Sequence, residues 1–97
     1  MMNELEMKEI LELAVEEMIT YSKNTAAPID DVVYSSVIDE TQPLEIMVLF
    51  AEVEHLKNME EQKLKDPFMS VFIKYLTSHN YPFGKQPQMK FQFSISI

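Results

Sequence analysis

Cysteine, tryptophan and arginine are absent from this 97-residue chain, and glycine occurs once, at Gly84. Without cysteine there is no disulfide framework, no thiolate metal site and no cysteine nucleophile. A phosphate-cradling loop or a dinucleotide fingerprint needs several glycines for close backbone approach, and a Gly-x-Ser-x-Gly elbow needs two, so one glycine excludes all three. Long hydrophobic runs are missing as well. The longest, Ile46 to Ala51, has six residues, against the roughly 20 a membrane-spanning helix requires. The opening MMNELEMKEILEL carries glutamates where a secretory signal needs a basic region and an unbroken apolar stretch. The expectation is a cytoplasmic protein with no membrane segment.

Basic charge is scarce. Sixteen acids stand against eight lysines, a net charge of −8. Proteins that grip nucleic acid neutralise phosphates with Lys and Arg, so direct nucleic-acid binding is disfavoured and a basic protein partner is favoured. The charge is uneven along the chain: −5 over residues 1–17, +1 over 18–29, −8 over 30–61 and +4 over 62–97. The apolar share of 46% and charged share of 25% match ordinary folded domains, and the length suits a single domain, 1–97, with no linker or repeat.

Residues 3–22 predict an amphipathic helix, because Met7, Ile10, Leu11, Ala14, Met18 and Tyr21 recur at spacings of three and four while Glu9, Glu12 and Glu16 share the other side. Asn24 to Pro28 ends it. Val32 to Ile38 is rich in β-branched and aromatic residues and reads as a strand. Leu44 to Val53 fits two structures. It can be a buried strand paired across an Asp39–Pro43 turn, or a helix opened by Pro43; the strand is preferred because the C-terminal segment needs a sheet partner. Residues 55–65 are strong helix formers. Asp66 as N-cap with Pro67 at the first position opens another helix, with Phe68, Met69, Phe72, Tyr75 and Leu76 on one face. Met89 to Ile97 alternates strictly between apolar and polar residues and predicts a strand wet on one side.

This order predicts an α+β fold, a small antiparallel sheet of two or three strands packed on one face by helices, with a mostly α fold carrying a C-terminal strand as the alternative.

Candidate chemistry is thin. On a strand, Glu52 and Glu54 would share a face that His55 does not, and His79 has no acidic neighbour in sequence, so no metal site is expected. Asp30 or Asp31 with Glu61-Gln62-Lys63 loosely matches a metal-nuclease pattern, but Glu61 and Lys63 lie in a helix-forming stretch where residues two apart point to different sides. No catalytic residue and no cofactor follow. Eight methionines fit an adaptable groove or, more ordinarily, core gaps.

The carboxylates remain. Glu9, Glu12, Glu16, Asp30, Asp31, Asp39, Glu40, Glu45, Glu52 and Glu54 are the candidate partner-binding residues. A charge run is usually a solvated face, but from Asp30 to Glu61 nine acids meet a single lysine, Lys57, a self-repulsion that costs stability. In bulk properties the chain compares with immunity proteins, antitoxins and phage nucleic-acid mimics, an analogy rather than a family likeness. The expectation is a non-catalytic, stoichiometric inhibitor that occludes a basic site on a partner protein, a nucleic-acid-binding enzyme among the candidates. The alternative is an assembly protein that forms a homodimer or adds a strand to a partner's sheet.

Overall fold

The structure, a computed structural model, describes residues 3–35, 44–81 and 89–96. The element order is α1 (Glu4–Ser22), β1 (Asp31–Tyr34), β2 (Leu44–Phe50), α2 (Val53–Glu61), α3 (Lys65–Ser78) and β3 (Met89–Ile95). The strands form one sheet in the order β1-β2-β3, an α+β arrangement with helices on one face.

Helix α1 starts where Asn3 caps it, its Oδ1 accepting a hydrogen bond from the Glu6 amide at 2.8 Å. Glu4 and Glu6 then sit in the first turn, favourably placed at the positive end of the helix dipole. The inward line is Met7, Leu11, Ala14, Met18 and Ser22. Ser22 is a buried polar residue that serves as a splice. Its hydroxyl donates to the Ile19 carbonyl at 2.7 Å and accepts from the Ile29 amide at 2.8 Å, so the chain leaving the helix is pinned back onto it before β1 begins.

Strands β1 and β2 pair antiparallel, with Val32 opposite Val48 and Tyr34 opposite Ile46. Strand β2 is central. Leu44, Ile46, Val48 and Phe50 are all buried and point to the helices, while Glu45 and Met47 face away. The stretch 44–53 is therefore a strand to Phe50, with a helix opening at Val53.

Two expectations are corrected here. β3 pairs with β2 in parallel, Ile46 opposite Phe91 and Val48 opposite Phe93, so the sheet is mixed rather than antiparallel throughout. The physical reason is the connection: α2 and α3 supply the long crossover that parallel neighbours need. Second, α3 begins one residue earlier than Asp66. Leu64 precedes it without a side-chain cap, and Asp66 and Pro67 lie inside the first turn, where a missing amide hydrogen costs nothing. The predicted strand residues 36–38, the Asp39–Pro43 turn, the stop at Pro82 and Gly84, and Ile97 lie outside the described residues.

Both crossover helices end the same way. The Leu64 amide reaches back to the Met59 carbonyl at 2.9 Å, and the Tyr81 amide to Leu76 at 3.0 Å. Each closure needs a left-handed residue just before it, and with no glycine at hand the chain uses Lys63 (φ 55°) and Asn80 (φ 58°). Asparagine tolerates that region; lysine is strained there.

The core joins both layers: Phe50, Phe68 and Phe72 are the largest fully buried side chains, and Phe72 meets Phe91 of β3 edge to face at 5.7 Å. Methionines fill it as well, Met7, Met18 and Met59 being buried. Replacing Phe72 by Ala is expected to cost about 3–5 kcal/mol, read as a thermal midpoint lowered by roughly 15 °C or more. An unmoved midpoint would contradict this packing. Replacing Lys63 by Gly has the opposite sign. Relief of the left-handed strain raises stability by about 1 kcal/mol, seen as a higher urea midpoint at unchanged slope.

Candidate functional site

The burial line of α1 determines what its outer face carries. With Met7, Leu11, Ala14 and Met18 turned inward, Leu5, Glu9, Glu12 and Glu16 fall at successive spacings of four, three and four and form one exposed line. Leu5 (66% exposed) and Leu13 (46%) lie along and beside the carboxylates. Charged and apolar contact groups are thus presented together on a helix whose opposite side is locked into the core.

The other candidate residues separate into two places. The Asp30 amide donates to the Leu49 carbonyl at 2.8 Å, and Asp31 is opposite Leu49 in the ladder. The start of β1 therefore lies beside the end of β2, where Glu52 precedes α2 and Glu54 occupies its first turn. Asp30, Asp31, Glu52 and Glu54 are all exposed at this end of the sheet. Glu45 is at the opposite end, on the face that no helix of the described residues covers, with Ser35 on one side and Lys90 on the other. There Val33, Ser35, Glu45, Met47, Lys90 and Gln92 line a shallow cleft of about 210 Å³ with an apolar floor. Asp39 and Glu40 lie outside the described residues.

Neutralisation is sparse. Among the described residues the ion pair is Lys57 with Glu61 at 4.0 Å, and the His55 ring lies 3.6 Å from the Glu52 carboxylate, a pairing that is ionic only when the imidazole is protonated; both belong to α2 and its cap. The carboxylates of α1, β1 and β2 have no ion-pair partner in that set. The stretch 52–55 is not strand: Glu52 is the N-cap residue of α2 and His55, in its first turn, lies one turn from Glu52 and shares its side. No group of three metal-ligating side chains converges among the described residues. The Asp31 Oδ1 accepts from the neighbouring Val32 amide at 2.8 Å, and Glu61 is held to Lys57, so each has a local structural partner.

Two features escaped sequence reasoning. One is a tyrosine pair at the α1–β1 seam. Burial, and secondarily the charge of Glu12, raises the Tyr34 phenol above its usual value. Burial, with the adjacent Tyr34 second, pushes Tyr81 up to about 12. Their separation in sequence hid the pairing. The Glu12 influence also places that carboxylate on the β1 side of the helix stripe. The other is Lys65, whose Nζ sits 5.3 Å over the Phe93 ring, a cation–π contact that brings positive charge to the β3 side. The molecule is polarised accordingly, acidic along α1 and the start of β1, basic beside β3 at Lys65 and Lys90.

Comparison with family models, with curated proteins and with solved structures finds no match to this chain. No helix among the described residues is long and apolar enough to cross a membrane.

Because the folded state holds both phenolic protons more tightly than an unfolded chain, whose tyrosines titrate near 10, the stability they contribute is complete below about pH 10 and is lost as pH rises toward 12. A spectrophotometric titration of tyrosinate is expected to show a late phase reaching about pH 12, and the Tyr81→Phe variant to lack it. A single titration phase centred at about pH 10, the midpoint of a free phenol, would contradict the seam.

Proposed function

We propose that this chain is a non-catalytic acidic binding protein, a stoichiometric inhibitor of the immunity, antitoxin or phage nucleic-acid-mimic kind, whose α1 side occludes a basic site on a partner protein. The observation that carries this reading is the exposed line of Glu9, Glu12 and Glu16 on a 19-residue helix, without ion-pair partners among the described residues. Carboxylates left unneutralised on a rigid support attract a cationic surface over a Debye length, about 8–10 Å at ordinary salt, and their pre-set spacing spares the ordering cost that a flexible acidic tail would incur on docking. Leu5 and Leu13 supply apolar contact within the same footprint, where charge steers and apolar area holds. Asp30 and Asp31 extend the field around the β1 edge.

Affinity capture from the native cell at low salt is expected to recover a basic protein in equimolar amount. Its affinity is expected to fall steeply with ionic strength. The combined Glu9→Gln, Glu12→Gln and Glu16→Gln variant should keep the parent's circular dichroism, since exposed helix-face changes move stability by about half a kcal/mol or less each, yet bind at least about tenfold more weakly at low salt. Unchanged affinity with unchanged salt dependence would remove α1 from the interface.

A further inference from the structure

The two edges of the sheet are unlike, and the difference points to a second copy of this chain. Strand β1 is four residues long, opens at Asp31 with Asp30 before it, and lies on the side where α1 packs. Edges so short and charged resist pairing. Strand β3 is seven residues long, has no proline and no inward charge, and is blunted only by a single outward lysine, Lys90. Among the described residues its pairing is to β2 alone. Met89, Phe91, Phe93 and Ile95, which face the helix layer, are only half-buried, although they continue the rows of β2 that are fully buried.

Backbone and side chains specify the same register. The Ser96 amide donates to the Phe50 carbonyl at 2.7 Å, so by alternation Lys90, Gln92 and Ser94 also direct their backbone groups toward β2. The N–H and C=O groups of Met89, Phe91, Phe93 and Ile95 therefore point outward. We propose that β3 pairs antiparallel with β3 of a second copy about a two-fold axis through Gln92, joining two three-stranded sheets into one. In this register Phe91 is opposite Phe93 of the other copy and Met89 is opposite its Ile95. All four outward-directed residues exchange backbone hydrogen bonds, and all four apolar side chains extend a continuous core row. On the uncovered face Gln92 meets its own symmetry mate and Lys90 meets Ser94, so no like charges oppose each other.

Between the two edges, charge favours this one for a second copy, because the register keeps Lys90 opposite Ser94 rather than opposite another charge. Pairing through β3 leaves the α1 stripes on the far sides of the assembly, whereas pairing through β1 would bring them and Asp31 together. The inference is independent of the inhibitor reading, because it uses the opposite side of the molecule.

The test reads the mass of the intact chain by sedimentation equilibrium across concentration, with two variants at one exposed position. Ser94→Lys places an ammonium opposite Lys90 of the other copy, twice per dimer, and is expected to weaken dimerisation about tenfold; Ser94→Glu places a carboxylate there and is expected to tighten it by a similar factor. Both differences should shrink in high salt, with circular dichroism unchanged. If Ser94→Lys does not fold, Ser94→Glu alone decides by tightening or not. A parent chain that is monomeric at its highest attainable concentration overturns the proposal, as does a dimer of equal affinity in parent and variants. A monomer that instead accepts a strand from another protein overturns it too.

Discussion

Everything in this molecule rests on the inner face of one strand. Leu44, Ile46, Val48 and Phe50 are close to fully excluded from water, and each is flanked by a neighbour from β1 or β3 and covered by the helix layer. A chain of this length can afford one such layer. Burying four large side chains contributes roughly 1.5–3 kcal/mol apiece, comparable to the entire net stability of a small domain. The other face of β2 is left to Glu45, Met47 and Leu49, and no helix among the described residues covers it. One-sided burial explains why β3, at the edge, shows alternation without full burial, and why polar groups can line a cleft on the open face.

The same constraint sorts the charge. Helix α1 must turn Met7, Leu11, Ala14 and Met18 toward the core, and its acids follow on the outside because the helical period leaves them nowhere else. The carboxylates of β1 and β2 are carried by period two instead, so Asp31 and Glu45 emerge on the open face and at opposite ends. What reads as two acidic blocks in sequence becomes three separate placements in space. Lys90 lies within β3 and Lys65 lies over Phe93 beside it. The result is a molecule acidic along α1 and the start of β1 and lightly basic beside β3.

Local periodicity made much of this legible. The boundaries of α1, the apolar faces of α1 and α3, and the alternation of β3 follow from spacing that a single element determines, except that Tyr21, expected on the inner face of α1, is exposed and Ser22 takes the buried place. The strand at 44–50 was legible only through its need for a partner, since a short apolar run fits either period. Strand direction was not legible at all: Lys90, Gln92 and Ser94 alternate identically whether the neighbour runs parallel or antiparallel, and the choice lies in how α2 and α3 route the chain. Ser22 continues the buried line of α1 four residues beyond Met18, so its position could be read. Its role could not, because the amide it satisfies belongs to Ile29, beyond the helix. The candidate site was visible as residues and invisible as a surface; Glu9, Glu12 and Glu16 shared a line by period alone, whereas the meeting of Asp30 with the end of β2 depends on the hairpin register.

The parallel partnership of β2 and β3 also orders events in time. Strands β1 and β2 are near neighbours in the chain, and a hairpin of this kind closes within microseconds. Met89 can find Leu44 only after the intervening crossover has condensed, because loop-closure entropy is charged before any ladder bond repays it. Closing that loop is what brings Phe91 edge-on against Phe72. Such non-local pairing slows folding relative to a helical bundle of equal size. While the last strand is still searching, the inner face of β2 is covered on one flank only, and that interval is when the chain is most exposed to association with its own kind.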